Sequence, residues 1–82
     1  MTVDERVQAA FGRALRKFRY DARISQEELA ARAGMNRTYV GDVERGERNV
    51  SILNQQKLAR ALDVRLSVIV REMERQLGRA AT

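Results

Sequence analysis

The sequence predicts an all-α fold: a compact bundle of five short helices, the second and third forming a helix-turn-helix. Three observations lead there. Apolar residues recur at steps of three and four along most of the chain. There is no Pro, and the five Gly are scattered. Four of the periodic stretches are preceded by a residue that caps helix N-termini: Thr2, Ser25, Asn36 and Ser51.

Thr2 and Glu5 have capping-box spacing, so the first helix starts at Val3. Val7, Phe11, Leu15, Phe18 and Ala22 fall on one face, with both Phe in the core. Arg6, Arg13, Arg16 and Lys17 stay largely off it. The second helix has a fuller signature. Ser25 is its N-cap, Glu28 completes a capping box, and Ile24 and Leu29 hold the hydrophobic-staple positions. Leu29, Ala30 and Ala33 make a small apolar face that lets another helix approach closely. Gly34 suits the left-handed residue after a helix end, and Met35 the hydrophobic contact that follows.

Asn36 caps the third helix. Val40 and Val43 point inward, and Arg37, Thr38, Gly41, Asp42 and Arg45 are left outside. Gly46 ends this helix, and GERNV forms a loop. Ser51 caps the fourth, with Ile52, Leu58, Ala59 and Leu62 on one side. Asp63-Val64-Arg65 is the next break. The fifth helix carries Leu66, Ile69, Val70, Met73 and Leu77 inward, and Val68 widens that stripe. GRAAT, from about Gly78, reads as a frayed tail. No linker or repeat divides residues 1–82, which form a single domain.

A chain of 82 residues makes one domain. A domain this small buries only somewhat more than about 60% of its unfolded surface, so a partner subunit would help it. Sixteen Lys and Arg against eleven Asp and Glu leave a net charge of +5, which suits a polyanionic partner. Cys and His are absent, so disulfides and Cys/His zinc sites are excluded, and the commonest general base and the thiol nucleophile with them. Glu27 and Glu28 are adjacent, but Glu28 caps a helix and no metal or nucleophile partner stands near in sequence. No enzyme activity, cofactor or metal is expected. No apolar run approaches the roughly 18 residues of a membrane span. MTVDERVQAAF carries acids where a signal peptide has bases. The expected setting is the cytoplasm, with no membrane partner.

Two short helices joined by a tight Gly turn present the second at its N-terminal end. In a DNA reader that helix lies in the major groove, its first residues at base edges. Its N-terminus offers N–H groups and partial positive charge to phosphates. The polar start from Asn36 to Tyr39 has a physical use of this kind.

SQEELAARAG, NRTYVGDVERG and SILNQQKLARALDV resemble the lambda-repressor/Xre-like helix-turn-helix family, over roughly Phe11 to Val70. RTYV followed by ERGERNVS is most similar to the controller proteins of restriction–modification systems. The resemblance implies a transcriptional regulator that binds a palindromic operator in double-stranded DNA as a homodimer. It also implies action on the protein's own promoter as activator and repressor, with RNA polymerase as a further partner. It gives base reading to Arg37 and Thr38. Asp42, on the same exposed face, would repel phosphate at short range, which counts against DNA there, but it can accept from cytosine N4 or orient an arginine. Gln26, Asn36, Tyr39, Arg45, Arg48, Asn49 and Ser51 take the DNA backbone, Gln26 also bracing the recognition helix, while for Tyr39 the other reading is plain packing against the core. Arg19 and Glu44 match a structural ion pair joining helix 1 to the end of helix 3. Leu53, Val64 and Val68, apolar and off the inward faces, are the expected dimer interface. The other reading is an antitoxin-type or phage-repressor-type regulator whose main partner is a protein.

Three positions depart from the family pattern. Arg23 replaces a usual Gly, so either a left-handed backbone costs about 1–2 kcal/mol there or the turn differs. Gln55 stands at a usually apolar position, where it needs hydrogen-bond partners or marks an altered dimer edge or an engineered change. Arg65 replaces a common capping Ser. Arg16 and Lys17 are either phosphate contacts or, more commonly for such residues, a solvated face.

Overall fold

Each of the first four helices begins directly after the residue that caps it. The computed structural model describes the backbone of residues 1–81 and the side chains of residues 1–78. Its element order is α1 (Val3–Asp21), α2 (Gln26–Ala33), α3 (Arg37–Glu44), α4 (Ile52–Ala61) and α5 (Leu66–Ala81). Thr2 Oγ1 accepts from the Glu5 N–H at 3.1 Å and Ser25 Oγ from the Glu28 N–H at 3.0 Å. Asn36 Oδ1 accepts from Thr38 N–H at 2.7 Å and Ser51 Oγ from Asn54 N–H at 3.1 Å. Each satisfies an amide that the helix itself leaves without a partner. The reciprocal half of the second capping box is not made, because the Glu28 carboxylate accepts from Arg32 Nε at 2.9 Å instead.

The breaks follow from backbone conformation. Gly34 has φ +68°, and the Met35 N–H returns to the Ala30 carbonyl at 2.8 Å, which closes α2 in a Schellman turn. Arg23 takes the left-handed backbone, φ +59°, so the chain bears the cost that a Gly there would avoid. The turn is tied from the helix side: Arg19 Nη1 donates to the Ile24 carbonyl at 3.0 Å. Asp63, at φ +57°, is a second left-handed non-Gly residue, which the sequence did not signal. At Arg65 the chain enters α5, its carbonyl accepting from the Val68 N–H at 3.0 Å. The helix runs on to Ala81. The expected fraying of GRAAT, from about Gly78, falls on residues whose side chains, from 79 to 82, lie outside the described residues.

The core gathers Phe11, Leu15, Leu29, Val40, Val43, Leu58, Ala59, Leu62 and Ile69. α1 packs along α5 and across α3, and α2 packs against both α3 and α4. Several expected faces need correction. Ala22 is exposed, and Val7 lies at the edge of the core with 36% of its surface open. Ile52 is 70% exposed, because the first residue of α4 extends past the elements covering Leu58 and Ala59. Gly41, expected outside, is buried under the side chains of Gln26 and Arg45. Asp42, also expected outside, is mostly covered, its side chain 16% exposed. Gln55 finds its partner in the Val50 carbonyl, to which Nε2 donates at 3.0 Å.

One contact sets how near α1 and α3 can come. A Cβ on Gly12 would stand 2.4 Å from the Val43 carbonyl oxygen and 2.7 Å from that of Glu44. The obstacles are backbone atoms and cannot rotate away. Gly12→Ala therefore pushes the end of α3 off α1, at about 1–3 kcal/mol for overpacking. Thermal melting should show a loss of roughly 5–20 °C. An unchanged melting temperature would mean that the two helices separate without cost.

Candidate nucleic-acid interface

The exposed start of α3 follows from the cap and the turn before it. Gly34 turns the chain, Asn36 caps, and the next two side chains have nowhere to pack. Arg37 is 62% exposed, its Nε 3.9 Å from Glu27 Oε1. An exposed pair at that length holds little energy, so the guanidinium is available to another partner. Thr38 is exposed beside it. Among the described residues no helix is long and apolar enough to cross a membrane, and no acidic cluster is arranged to hold a metal.

The rear of α3 is braced by charge. Arg19 donates to both oxygens of Glu44, Nε to Oε2 at 2.6 Å and Nη2 to Oε1 at 2.9 Å. Gln26 Nε2 donates to Oε1 at 3.0 Å. Arg16 adds its charge at 3.6 Å, which turns this helix-1 arginine inward, while Lys17 pairs with Asp21 at 3.2 Å. Arg19 and Glu44 are 8% and 3% exposed. Burial pushes the Glu44 carboxyl up, but the hydrogen bonds from Arg19 and Gln26 outweigh it and hold the group below the ordinary range. The Glu44 hydrogen bond raises Arg19 in turn.

The side of α3 facing the following loop carries a second cluster. Asp42 Oδ2 accepts from Arg48 Nη2 at 3.2 Å and Nε at 3.3 Å, while Oδ1 accepts from Arg45 Nη2. Arg45 Nε donates to Glu47 at 3.0 Å. The Arg48 guanidinium lies 5.6 Å from the Tyr39 ring centroid, within cation–π range. Tyr39 is half-buried against the core, and its hydroxyl accepts from Asn54 Nδ2 at 3.1 Å. Asn49 and Ser51 are exposed at the loop end, with the Ser51 hydroxyl occupied in capping α4.

The structure thus assembles Arg37, Thr38, Tyr39, Asp42, Arg45 and Arg48 on and just after one helix. Gln26, Arg19 and Glu44 stand behind it. Leu53 and Val68 lie on α4 and α5, 62% and 37% exposed, whereas Val64 is partly buried against the core. Sequence reasoning missed Asn54 as the Tyr39 partner and Glu47 as an Arg45 partner. The Asn54 contact joins different helices, where helical spacing gives no signal. The Glu47 contact depends on how the loop folds back.

The helix-turn-helix family matches residues 13–69, well over half of the chain. The control protein C.MunI of Mycoplasma sp is 35% identical over 71 residues, covering 85% of this chain and 96% of that protein. The control protein C.BamHI of Bacillus amyloliquefaciens is 42% identical over 59 residues, covering 71% and 73%. The crystal structure of the restriction-modification controller protein C.AhdI from Aeromonas hydrophila superimposes with a TM-score of 0.74 at 48% identity, covering 76% of this chain and 94% of that one. With the cap, turn and braced third helix all in place, the chain belongs to the helix-turn-helix family, in its branch of restriction–modification controller proteins.

Proposed function

We propose that this chain reads double-stranded DNA in a sequence-specific way and controls transcription for a restriction–modification system, as a homodimer on a palindromic operator. One observation carries the reading. Arg37 and Thr38 stand exposed at the N-terminal end of a helix whose other end is locked to the body by the Arg19–Glu44–Gln26 network. A recognition helix needs both features: free side chains in front and a rigid mount behind. Arg37 donates two hydrogen bonds to guanine O6 and N7, and Thr38 reads the neighbouring base.

Gln26, Asn36, Tyr39, Arg45, Arg48, Asn49 and Ser51 flank these two and take the phosphates. Both Asp42 oxygens are engaged by arginines, which favours the orienting role over contact with cytosine. Ile52, Leu53 and Val68 expose apolar surface on α4 and α5, as an isologous interface requires. Val64 supports them from its half-buried place. The protein acts by binding, with no catalytic role, in the cytoplasm where duplex DNA and RNA polymerase meet it.

Arg37→Ala tests the reading. It should cost about 1–3 kcal/mol on the specific duplex and relax the preference at one base position. Arg48→Ala should weaken all duplexes alike, since phosphates carry no sequence. Competition titrations on a selected and a scrambled duplex separate the two effects. Wild-type affinity and preference in Arg37→Ala would remove Arg37 as the reader.

A further inference from the structure

The arginines beside the recognition helix are not free cations. Arg45 and Arg48 share one carboxylate, Asp42, and Arg45 is also bound to Glu47. These four side chains sum to zero charge. The net +5 of the chain is therefore carried by its other residues, and this cluster beside the recognition helix is locally neutral. The carboxylate is the inner partner: its side chain is 16% exposed, against 53% for each arginine. Each guanidinium keeps its Nη1 donors unclaimed by this carboxylate, so both can meet a phosphate while still held.

We propose that Asp42 is a specificity-determining positioning residue. It fixes Arg45 and Arg48 for one arrangement of phosphates and cancels their attraction for every other. The inference rests on the DNA-reading function above and adds its discrimination step. Non-specific binding comes from counterion release by mobile cations, and it grows with each one set free. A guanidinium tethered to a carboxylate releases fewer counterions on a random duplex. On the matching backbone it is already in position and loses less side-chain freedom. The carboxylate thus costs affinity everywhere and costs least on the correct site, which is specificity by disfavouring the wrong partner.

The test uses the full chain, the best duplex that wild type enriches from a randomised pool, and poly(dI-dC) as the non-specific duplex. Asp42→Asn keeps the shape and removes the charge. Asp42→Ser removes the fork altogether. Glu47→Gln makes the same charge change on a residue that holds only Arg45 from the surface. For both Asp42 variants, poly(dI-dC) should bind about fivefold tighter, with a salt slope steeper by about 1. The ratio of specific to non-specific affinity should fall at least about tenfold. Glu47→Gln should keep that ratio within about twofold of wild type. Equal loss of the ratio in Asp42→Asn and Glu47→Gln would overturn the proposal, because charge alone would then explain it. Parallel weakening on both duplexes, with an unchanged salt slope, would also overturn it and leave Asp42 a packing residue. A wild-type chain that enriches no duplex would overturn the DNA-reading function itself, and this proposal with it.

Discussion

Glu44→Ala should lower the melting temperature by more than about 12 °C. The residue is 3% exposed and accepts three hydrogen bonds, two from Arg19 and one from Gln26. Removing it leaves the Arg19 guanidinium, 8% exposed, with the Ile24 carbonyl alone among these partners. Truncating one side of a buried pair costs about 3–5 kcal/mol, because the remaining charge loses its compensation. A chain of this length has only about 4–12 kcal/mol of stability to lose. At 4–8 °C per kcal/mol the shift is large. The same substitution unmounts α3 and should weaken specific DNA binding with it. A melting temperature within a degree of wild type would mean that the pair is superficial.

Acid provides an independent check on the same group. The Glu44 carboxyl is held below its ordinary value in the folded chain, so folding favours the ionised form. Its contribution is fully present above the unfolded carboxylate value of about 4.3 and is lost as pH falls through the lower folded value. The acid limb of the wild-type stability curve should therefore be steeper than that of Glu44→Gln.

Leu53→Glu should yield a folded monomer whose operator affinity is down by about 10²–10⁴. Leu53 is 62% exposed and Ile52 beside it 70%, so a charge is tolerated in the isolated chain. At an apolar two-fold interface the same charge meets its own copy and is not tolerated. The consequence for DNA is geometric. A chain of principal extents 35 × 21 × 21 Å presents one recognition helix. Two must sit about 34–36 Å apart to enter successive major grooves. Losing the partner removes the second binding event and its effective concentration. Val68→Glu, at a position 37% exposed on α5, should act in the same direction. Sedimentation equilibrium reads the assembly directly. Wild type that stays monomeric at tens of micromolar, or charge variants that remain dimeric, would remove this interface.

Much of this was legible in the sequence where the physics is local. Thr2, Ser25, Asn36 and Ser51 each cap the helix they precede, since a cap is decided by one side chain and an amide two or three residues on. Gly34 turns left-handed as a Gly at that point should. Arg19 and Glu44 came from the family pattern rather than from spacing, and they meet in the structure. The faces of short helices were harder. An eight- or ten-residue helix has few apolar positions to define its inward arc, and a helical wheel has no ends, so spacing alone puts Ile52 inside although it is 70% exposed. Gly41 lacks a side chain to signal burial, yet Gln26 and Arg45 cover it. Asp63 adopts a backbone that Gly usually supplies. The Asp42 cluster depends on how the loop folds back on α3, which no periodicity encodes.

Selection of bound duplexes from a randomised pool, run in parallel for wild type and Arg37→Ala, shows whether the exposed start of α3 reads DNA sequence. Wild type should enrich a nearly palindromic site with half-site centres about 10 base pairs apart. Arg37→Ala should enrich the same site with one symmetric pair of positions, a guanine in each half, gone degenerate. Pools in which wild type enriches nothing, or in which both proteins enrich the identical site with equal stringency, would contradict that role for α3.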